Sequence, residues 1–554
     1  MNQVKILALG GLDEDGKNCM VVEINQQIIV IEAGLKYPDV DQLGIESIIP
    51  DFTYLIENKD RIAGIFITHG HDDVMSALPY LLKNTQIPVY TTPLTALMIE
   101  DQLKTHNITG IKVHRIKRFG QTVLNGIKVK TFGMTHSIAD GYGIAIETPE
   151  GYIVYTSEFI IDFDIKTESF TCDITEFAEM GKKGVLALMT ESVSADREGF
   201  TSPRHRIVNE IESSFEKEGG RIIVMLYEQN LYRLIEVIEL ANKYDRKIVF
   251  YNDSQRQYLK HVEKMGYYKI PVGLEIVKEK YNNKMENVLV IVSASGPNVF
   301  RTMHKIAMNE DNLIELSPED TVIIASPVVP GTEREASTME NELYKEGCKV
   351  VSLDHRKVLS MHGSIEDIKM LINLFKPKYY IPIKGQYRHL VNNANIALNM
   401  GYNAGRIVVL DNGQVAQFDD GILKQTSTLL KLEEVMIDGN IHLDSSGMVL
   451  KDRETLATDG ALVVGVVVNF KTKEVIGGPD VQSRGVIYLK DADYIVKEVG
   501  NILERTIVDM VKDGRYENMA ARMEAKDKIT RYILKETGKR PMILPAIVEL
   551  NIQE

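Results

Sequence analysis

The feature that most narrows the fold is a repeated one: short apolar runs, each ending in polar residues. In the first two hundred residues they are VKILALGG, MVVEI, IIVIEAG, IAGIFITHG, VKTFGMTHS and GYIVYTSEF. Runs of this length between turns read as strands whose loops carry the polar side chains. From about Ser202 the texture changes. HRIVNEIESSFEKEG precedes RIIVMLY and NLYRLIEVIELANKYD precedes KIVFYN, an alternation of helix and strand typical of a doubly wound α/β block. After LSMHGSIEDIKMLINLF the strand-and-turn style returns in KYYIPIKGQYR and RIVVLDNGQVAQF, so the α/β block reads as an insertion. From SSGMVLKDRETLATDGALVVGVVVNF onward, an extended segment followed by amphipathic helices such as YIVKEVGNILERTIVDMVKD predicts a small α+β domain.

At 554 residues and 44% hydrophobic content the chain is long enough for two to four domains. Its formal net charge of −14 excludes loose, sequence-blind attachment to nucleic acid, which needs clustered Lys and Arg, so any RNA contact must be a local channel. Cys19, Cys172 and Cys348 are scattered and form no C-x-x-C pair, which fits a reducing compartment such as the cytoplasm. Neither a signal-like N-terminus nor a run of about 18 apolar residues is found, so secretion and membrane spanning are not expected. A G-x-S-x-G elbow is missing, and GGLDEDGKN lacks the terminal G-K-[ST] of a phosphate-cradling loop. Its DEDG reads as a solvated turn, because the other ligand positions of a calcium loop are not filled.

The chemistry gathers at strand ends. ITHGHDDVMSALPYLL offers His69, His71 and Asp73, and residues two apart in extended backbone project to one side, where both imidazoles can share an ion. MTHSIADG adds His136 and VYTSEF adds Glu158, each again closing an apolar run. Three imidazoles and a carboxylate make a plausible four-ligand set for zinc, with manganese as the alternative.

In order, GGLDEDGKN, IEAGLKYPD, ITHGHDDVMSALPYLL, MTHSIADG, VYTSEF, EGFT, ASPVVPGTE, SMHG, PIKGQYR, VLDNGQV and RPMILPAIVEL resemble the ribonuclease J family, metallo-β-lactamase-fold nucleases with a β-CASP insertion. The resemblance implies an α/β fold: an αββα sandwich in two parts, 1–202 and 364–430, interrupted by a β-CASP domain over 203–363. A linker over 431–446 and a C-terminal oligomerisation domain over 447–554 follow. It also implies 5′-3′ exo- and endoribonuclease chemistry in RNA processing and decay.

Carried over residue by residue, that resemblance implies a damaged site. Active members read H-x-H-x-D-H, and Val74 stands where the last His would bind a second ion. Lys384 in PIKGQYR replaces another His of the same ion, and an ammonium cannot ligate. Glu158 replaces a bridging Asp and Glu32 an orienting one, each a methylene longer. What remains for the first ion is His69, His71, His136 and Glu158; Asp73 survives from the second and, with His362, is the residual catalytic pair. Ser360 and His362 in VLSMH keep part of a phosphate-binding segment, with Val358 and Met361 in place of His and Gly. Asn252, Asp253 and Ser254 replace a phosphate-gripping turn, and SASGPN from Ser293 is a shortened form of the S-G-S-Q-G-E-P of active members, without its Gln and Glu.

Three readings follow. The first is a family member with weak or lost catalysis, holding at most one zinc or manganese ion or none, similar to the second copy that many Gram-positive bacteria keep beside an active one. Its partners would be RNA and that active paralogue, with a homodimer or higher oligomer formed alone. The second is an active one-metal nuclease in which Lys384 substitutes electrostatically for the missing ion, facing Asp73 and Glu158. The third, a small-molecule hydrolase of the same superfold, does not need the inserted block or the C-terminal domain.

Overall fold

Strands that alternate or are wholly apolar must cover both faces, and the computed structural model does so by stacking two sheets. It describes residues 2–39, 42–217, 219–328, 331–354, 356–424, 429–439, 441–443, 447–486 and 493–551. In the first sheet, Gln3–Gly10 lies between Cys19–Ile24 and Val415–Asp419, and the order continues outward through Gln27–Ile31, Ile62–Phe66, Val89–Thr91 and Val113–Arg115. The second runs Tyr379–Ile383, Val185–Glu191, Gly151–Tyr155, Tyr142–Thr148, Ile127–Gly133 and Gly120–Leu124. Ile6, Ile29, Tyr142, Ile144, Ile153 and Ile381 belong to the apolar layer shared by the two sheets. Helices cover the outer faces: Leu78, Leu81 and Ile99 pack on the first, and Phe177, Leu371 and Ile396 on the second. That is an αββα sandwich.

Between Glu191 and Tyr379 the chain leaves the second sheet and builds another. Five strands, Lys247–Phe250, Val288–Ala294, Ile222–Tyr227, Thr321–Ile324 and Lys349–Ser352, pair in that order and in parallel, with apolar clusters on both faces. Near-continuous runs such as IIVMLY and VLVIV suit strands buried on two sides. The chain then returns so that Tyr379–Ile383 lies parallel to Val185–Glu191, with Glu191 opposite Ile383.

Leu443–Glu554 with Asp39–Ile45 forms a second compact unit. Its sheet has Ala461–Asn469 at the centre, flanked by Val475–Arg484 and Met542–Leu550. Leu462, Val464, Val466 and Val468 pack on Val499, Leu503 and Ile529 of the helices Asp493–Lys512 and Asn518–Thr537. Met448–Thr458, expected as extended chain, is a helix, consistent with the good helix formers Met, Leu, Lys, Arg and Glu within it. In the segment expected as a linker, Val435–Asp438 is a strand paired with Ser47–Ile49, while Asn440 and residues 444–446 lie outside the described residues.

Candidate metal centre and its cleft

Each residue of the site is delivered by the end of a strand of the sandwich or by the turn that follows it. His69 and His71 follow Ile62–Phe66, His136 follows Ile127–Gly133, Glu158 follows Gly151–Tyr155, and Lys384 follows Tyr379–Ile383. The turn after His71 is pressed against the chain at Gly34: a Cβ there would lie 1.6 Å from the Asp73 carbonyl oxygen, so only glycine permits the approach.

Among the described residues, His69, His71, His136 and Glu158 offer ligand atoms that all lie within 4.8 Å of one another. Glu158 Oε2 is 3.3 Å from His69 Nε2, 3.7 Å from His71 Nδ1 and 3.0 Å from His136 Nε2. The His136 tautomer follows from its opposite ring nitrogen. His136 Nδ1 is 2.8 Å from the Met361 carbonyl oxygen, which can only accept, so Nδ1 carries the proton and Nε2 a lone pair. His69 Nδ1 contacts Thr68 Oγ1 at 3.0 Å and Ser157 Oγ at 3.3 Å, and His71 Nε2 contacts Ser137 Oγ at 3.1 Å. Nε2 of His69 and of His136 are both buried and turned to the same Glu158 oxygen, the convergence of imidazole and carboxylate donors that a shared cation needs. Burial lowers His136 to about 4 and His69 well below the usual imidazole value, so both are neutral ligands at physiological pH. The residues present fit one divalent ion.

A buried ammonium and a further carboxylate stand beside the four-ligand set. Lys384 Nζ lies 3.0 Å from Glu158 Oε1 and 2.9 Å from Glu32 Oε2. Burial pushes Glu158 up, but the ammonium and the three imidazoles outweigh it and hold the carboxyl well below its ordinary value. Burial disfavours the ammonium in turn, yet Glu158 and Glu32 raise Lys384 well above its usual value, and it stays charged. Asp73 stands outside the four-ligand set: Asn18 Nδ2 donates to its Oδ2 at 2.8 Å, and burial beside Glu158 raises its carboxyl well above normal. Val74, where the family resemblance leads one to expect a ligand, is fully buried in the outer apolar layer of the first sheet.

His362 and Ser360 line the same cleft, a cavity of about 700 Å³ bounded by the sandwich and the inserted sheet. His362 Nδ1 is 2.7 Å from Glu191 Oε2, while Glu191 Oε1 accepts from Phe159 N at 2.7 Å and Gly363 N at 3.1 Å. Burial lowers the imidazole, but Glu191 prevails and raises it to about 9, giving a cation beside His136. Glu191 was not singled out from the sequence, although VLALMTE shows the same signal, an apolar run closed by a polar residue. At the YNDSQ and SASGPN turns, Glu228 lies near Ser254 and Ser295, while Tyr37 covers Gly296 and donates to Asp72 Oδ2 at 2.7 Å.

A metallo-beta-lactamase superfamily model matches residues 12–156, a ribonuclease J beta-CASP domain model residues 219–343 and a ribonuclease J C-terminal domain model residues 448–550. Ribonuclease J 2 of Staphylococcus aureus is 30% identical over 551 residues, spanning 99% of this chain and 98% of that protein. The chain belongs to the ribonuclease J family. Proteins of the same name from Staphylococcus saprophyticus and Staphylococcus epidermidis are each 30% identical over 551 residues, again 99% of this chain and 98% of theirs. A crystal structure of a protein of unknown function from Enterococcus faecalis shares the fold: its TM-score is 0.51 at 15% identity, covering 75% of this chain and all of that one. The three-part organisation of a metallo-β-lactamase domain, a β-CASP insertion and a C-terminal domain is therefore that of an RNA-directed nuclease family. No helix among the described residues is long and apolar enough to cross a membrane.

Proposed function

We propose that this chain is an RNA-binding ribonuclease J family protein of weak or absent hydrolytic activity that works in the cytoplasm in complex with an active member of the same family. The observation that carries the reading is the content of the second-ion position: Lys384 lies against Glu158, and Val74 is turned into the apolar layer. The domain division given above, with 203–363 as the β-CASP insertion and 447–554 as the assembly domain, belongs to the same proposal.

Zinc or manganese held by His69, His71, His136 and Glu158 would supply Lewis acidity for a scissile phosphate. The protein's own residues do the rest. His362, held by Glu191, presents a positive imidazole to the cleft and can neutralise a phosphate oxygen; Ser360 offers a hydroxyl on the same wall. Two-ion enzymes of this type divide nucleophile activation and charge neutralisation between ions on the order of 4 Å apart. Loss of one ion removes several kcal/mol of transition-state stabilisation, at about 1.4 kcal/mol per factor of ten in rate.

A second reading, an active one-metal nuclease, is favoured by the same ammonium, because it keeps positive charge beside Glu158. Single-turnover cleavage of a 5′-monophosphorylated RNA with zinc or manganese separates the two, with His69→Ala/His71→Ala as the control. Cleavage barely above the control is expected, and a vigorous rate that the control abolishes would establish the one-metal nuclease instead. Elemental analysis should find one ion per chain or none, and two tightly held ions would defeat both readings.

A further inference from the structure

Beside the histidines lies a cation that the ligand set does not need. The Lys384 side chain is 4% exposed, its ammonium gripped by Glu32 Oε2 at 2.9 Å and Glu158 Oε1 at 3.0 Å. Both carboxylates are fixed from behind. Glu32 Oε1 accepts from Thr68 Oγ1 at 2.6 Å, and Glu158 Oε2 faces the three imidazoles, so each carboxylate turns one oxygen to the lysine. Glu32 and Lys384 sit at φ +67° and +57°, a left-handed conformation that residues with a Cβ adopt rarely and that here aims both side chains inward. The turn after Lys384 is pinned by bridges from Gly385 to Leu12 and Glu14, and the Tyr155 ring centroid lies 6.0 Å from Nζ. A buried ammonium is tolerated only where such partners replace its water.

We infer that Lys384 is a resident internal cation: it fills the seat of a second divalent ion, keeps Glu158 aimed at the histidines, and makes this half of the centre independent of metal. The inference rests on reading the histidine set as a single-ion site. Removing the side chain would leave a space among Glu32, Glu158 and Asp73, whose oxygen donors suit a hard divalent cation.

Metal analysis of the full chain after dialysis against Mn²⁺ and desalting tests it. The parent should hold one ion and Lys384→Ala two; one ion in each would overturn the inference while leaving the histidine site intact, and none in either would overturn both. A parent with no ion beside a Lys384→Ala protein with one would retire the histidine reading and leave the resident cation standing. If Lys384→Ala is unfolded without metal, refolding with Mn²⁺ but not with NaCl of equal ionic strength is the expected result. Should neither restore it, urea unfolding of Glu32→Gln, Lys384→Met and the double variant without metal decides. Coupling of tenfold or more in the unfolding constant supports the clamp, and additive effects overturn it.

Discussion

Val74 and His362 make the argument at the scale of single residues. Val74 is fully buried among Leu78, Leu81 and Ile67, so an imidazole there loses apolar contact and brings a polar ring into the layer. Val74→His alone should cost about 1–3 kcal/mol of stability in urea unfolding. Paired with Lys384→His it rebuilds the ligand count, yet RNA cleavage should recover only in part, because Glu158 and the altered VLSMH and SASGPN segments are unchanged. For His362, burial lowers the imidazole but the Glu191 carboxylate raises it to about 9, above the free value of 6.5. A folded value above the unfolded one means stabilisation that is complete below about 6.5 and lost as pH rises through about 9. Urea midpoints measured from pH 6.5 to 9.5 should fall in the parent, and His362→Gln should flatten that slope below about pH 8, leaving above it the fall that the buried Cys19 and Cys348 thiols, both raised by burial, contribute. The histidines and Glu158 were legible in the sequence because each closes an apolar run. The clamp on Lys384 was legible only on its Glu158 side: Glu32 read as an orienting residue, and no local pattern pairs side chains so far apart in the chain.

At the scale of elements, two contacts hold the site loops. Helix Ile365–Phe375 starts at a capping box in which Ser364 and Asp367 satisfy each other's backbone, and the buried Asp367 also accepts from Ile161 N at 3.1 Å and Thr201 N at 2.9 Å. Asp367→Ala strands these donors, each costing about 1–3 kcal/mol. It should therefore lower the melting temperature and loosen the segment that carries His362, an effect readable as faster hydrogen exchange over 358–364. Gly34→Ala collides with the Asp73 backbone and should displace the His71 turn, seen as lost metal uptake even where the fold survives. Strands and long helices were readable from apolar runs and periodicity, as in Ile222–Tyr227 and Leu231–Lys243. Met448–Thr458 was misread as extended because GMVLKD gives little apolar period, and the helix keeps no buried residue to reveal its face.

At the scale of the whole molecule, the insertion was legible because strand texture stops and resumes, whereas strand order was not: pairing partners are set by packing between distant segments. The proposed pairing with an active relative puts its weight on the C-terminal unit. One face of its sheet meets helices, while Val463, Leu544, Val548 and Leu550 stand exposed on the alternate positions. Deleting 447–554 should abolish co-purification with such a partner, and Leu544→Asp with Val548→Asp should weaken it without unfolding the sandwich. A complex that survives the deletion unchanged would remove this route of assembly.

The return of Tyr379–Ile383 to the side of Val185–Glu191, and of Val415–Asp419 to the side of Gln3–Gly10, has a consequence for synthesis on the ribosome. While the nascent chain is shorter than this, both sheets lack a strand and Glu32 and Glu158 lack their ammonium. The inserted parallel sheet, complete by Ser352, can close the core on one of its faces first. The sandwich is thus committed late, Lys384 supplying the counter-charge and Val415–Asp419 then completing the first sheet, and a message cut before the Lys384 codon yields a chain whose acidic centre has no counter-charge and no finished sheet to bury it.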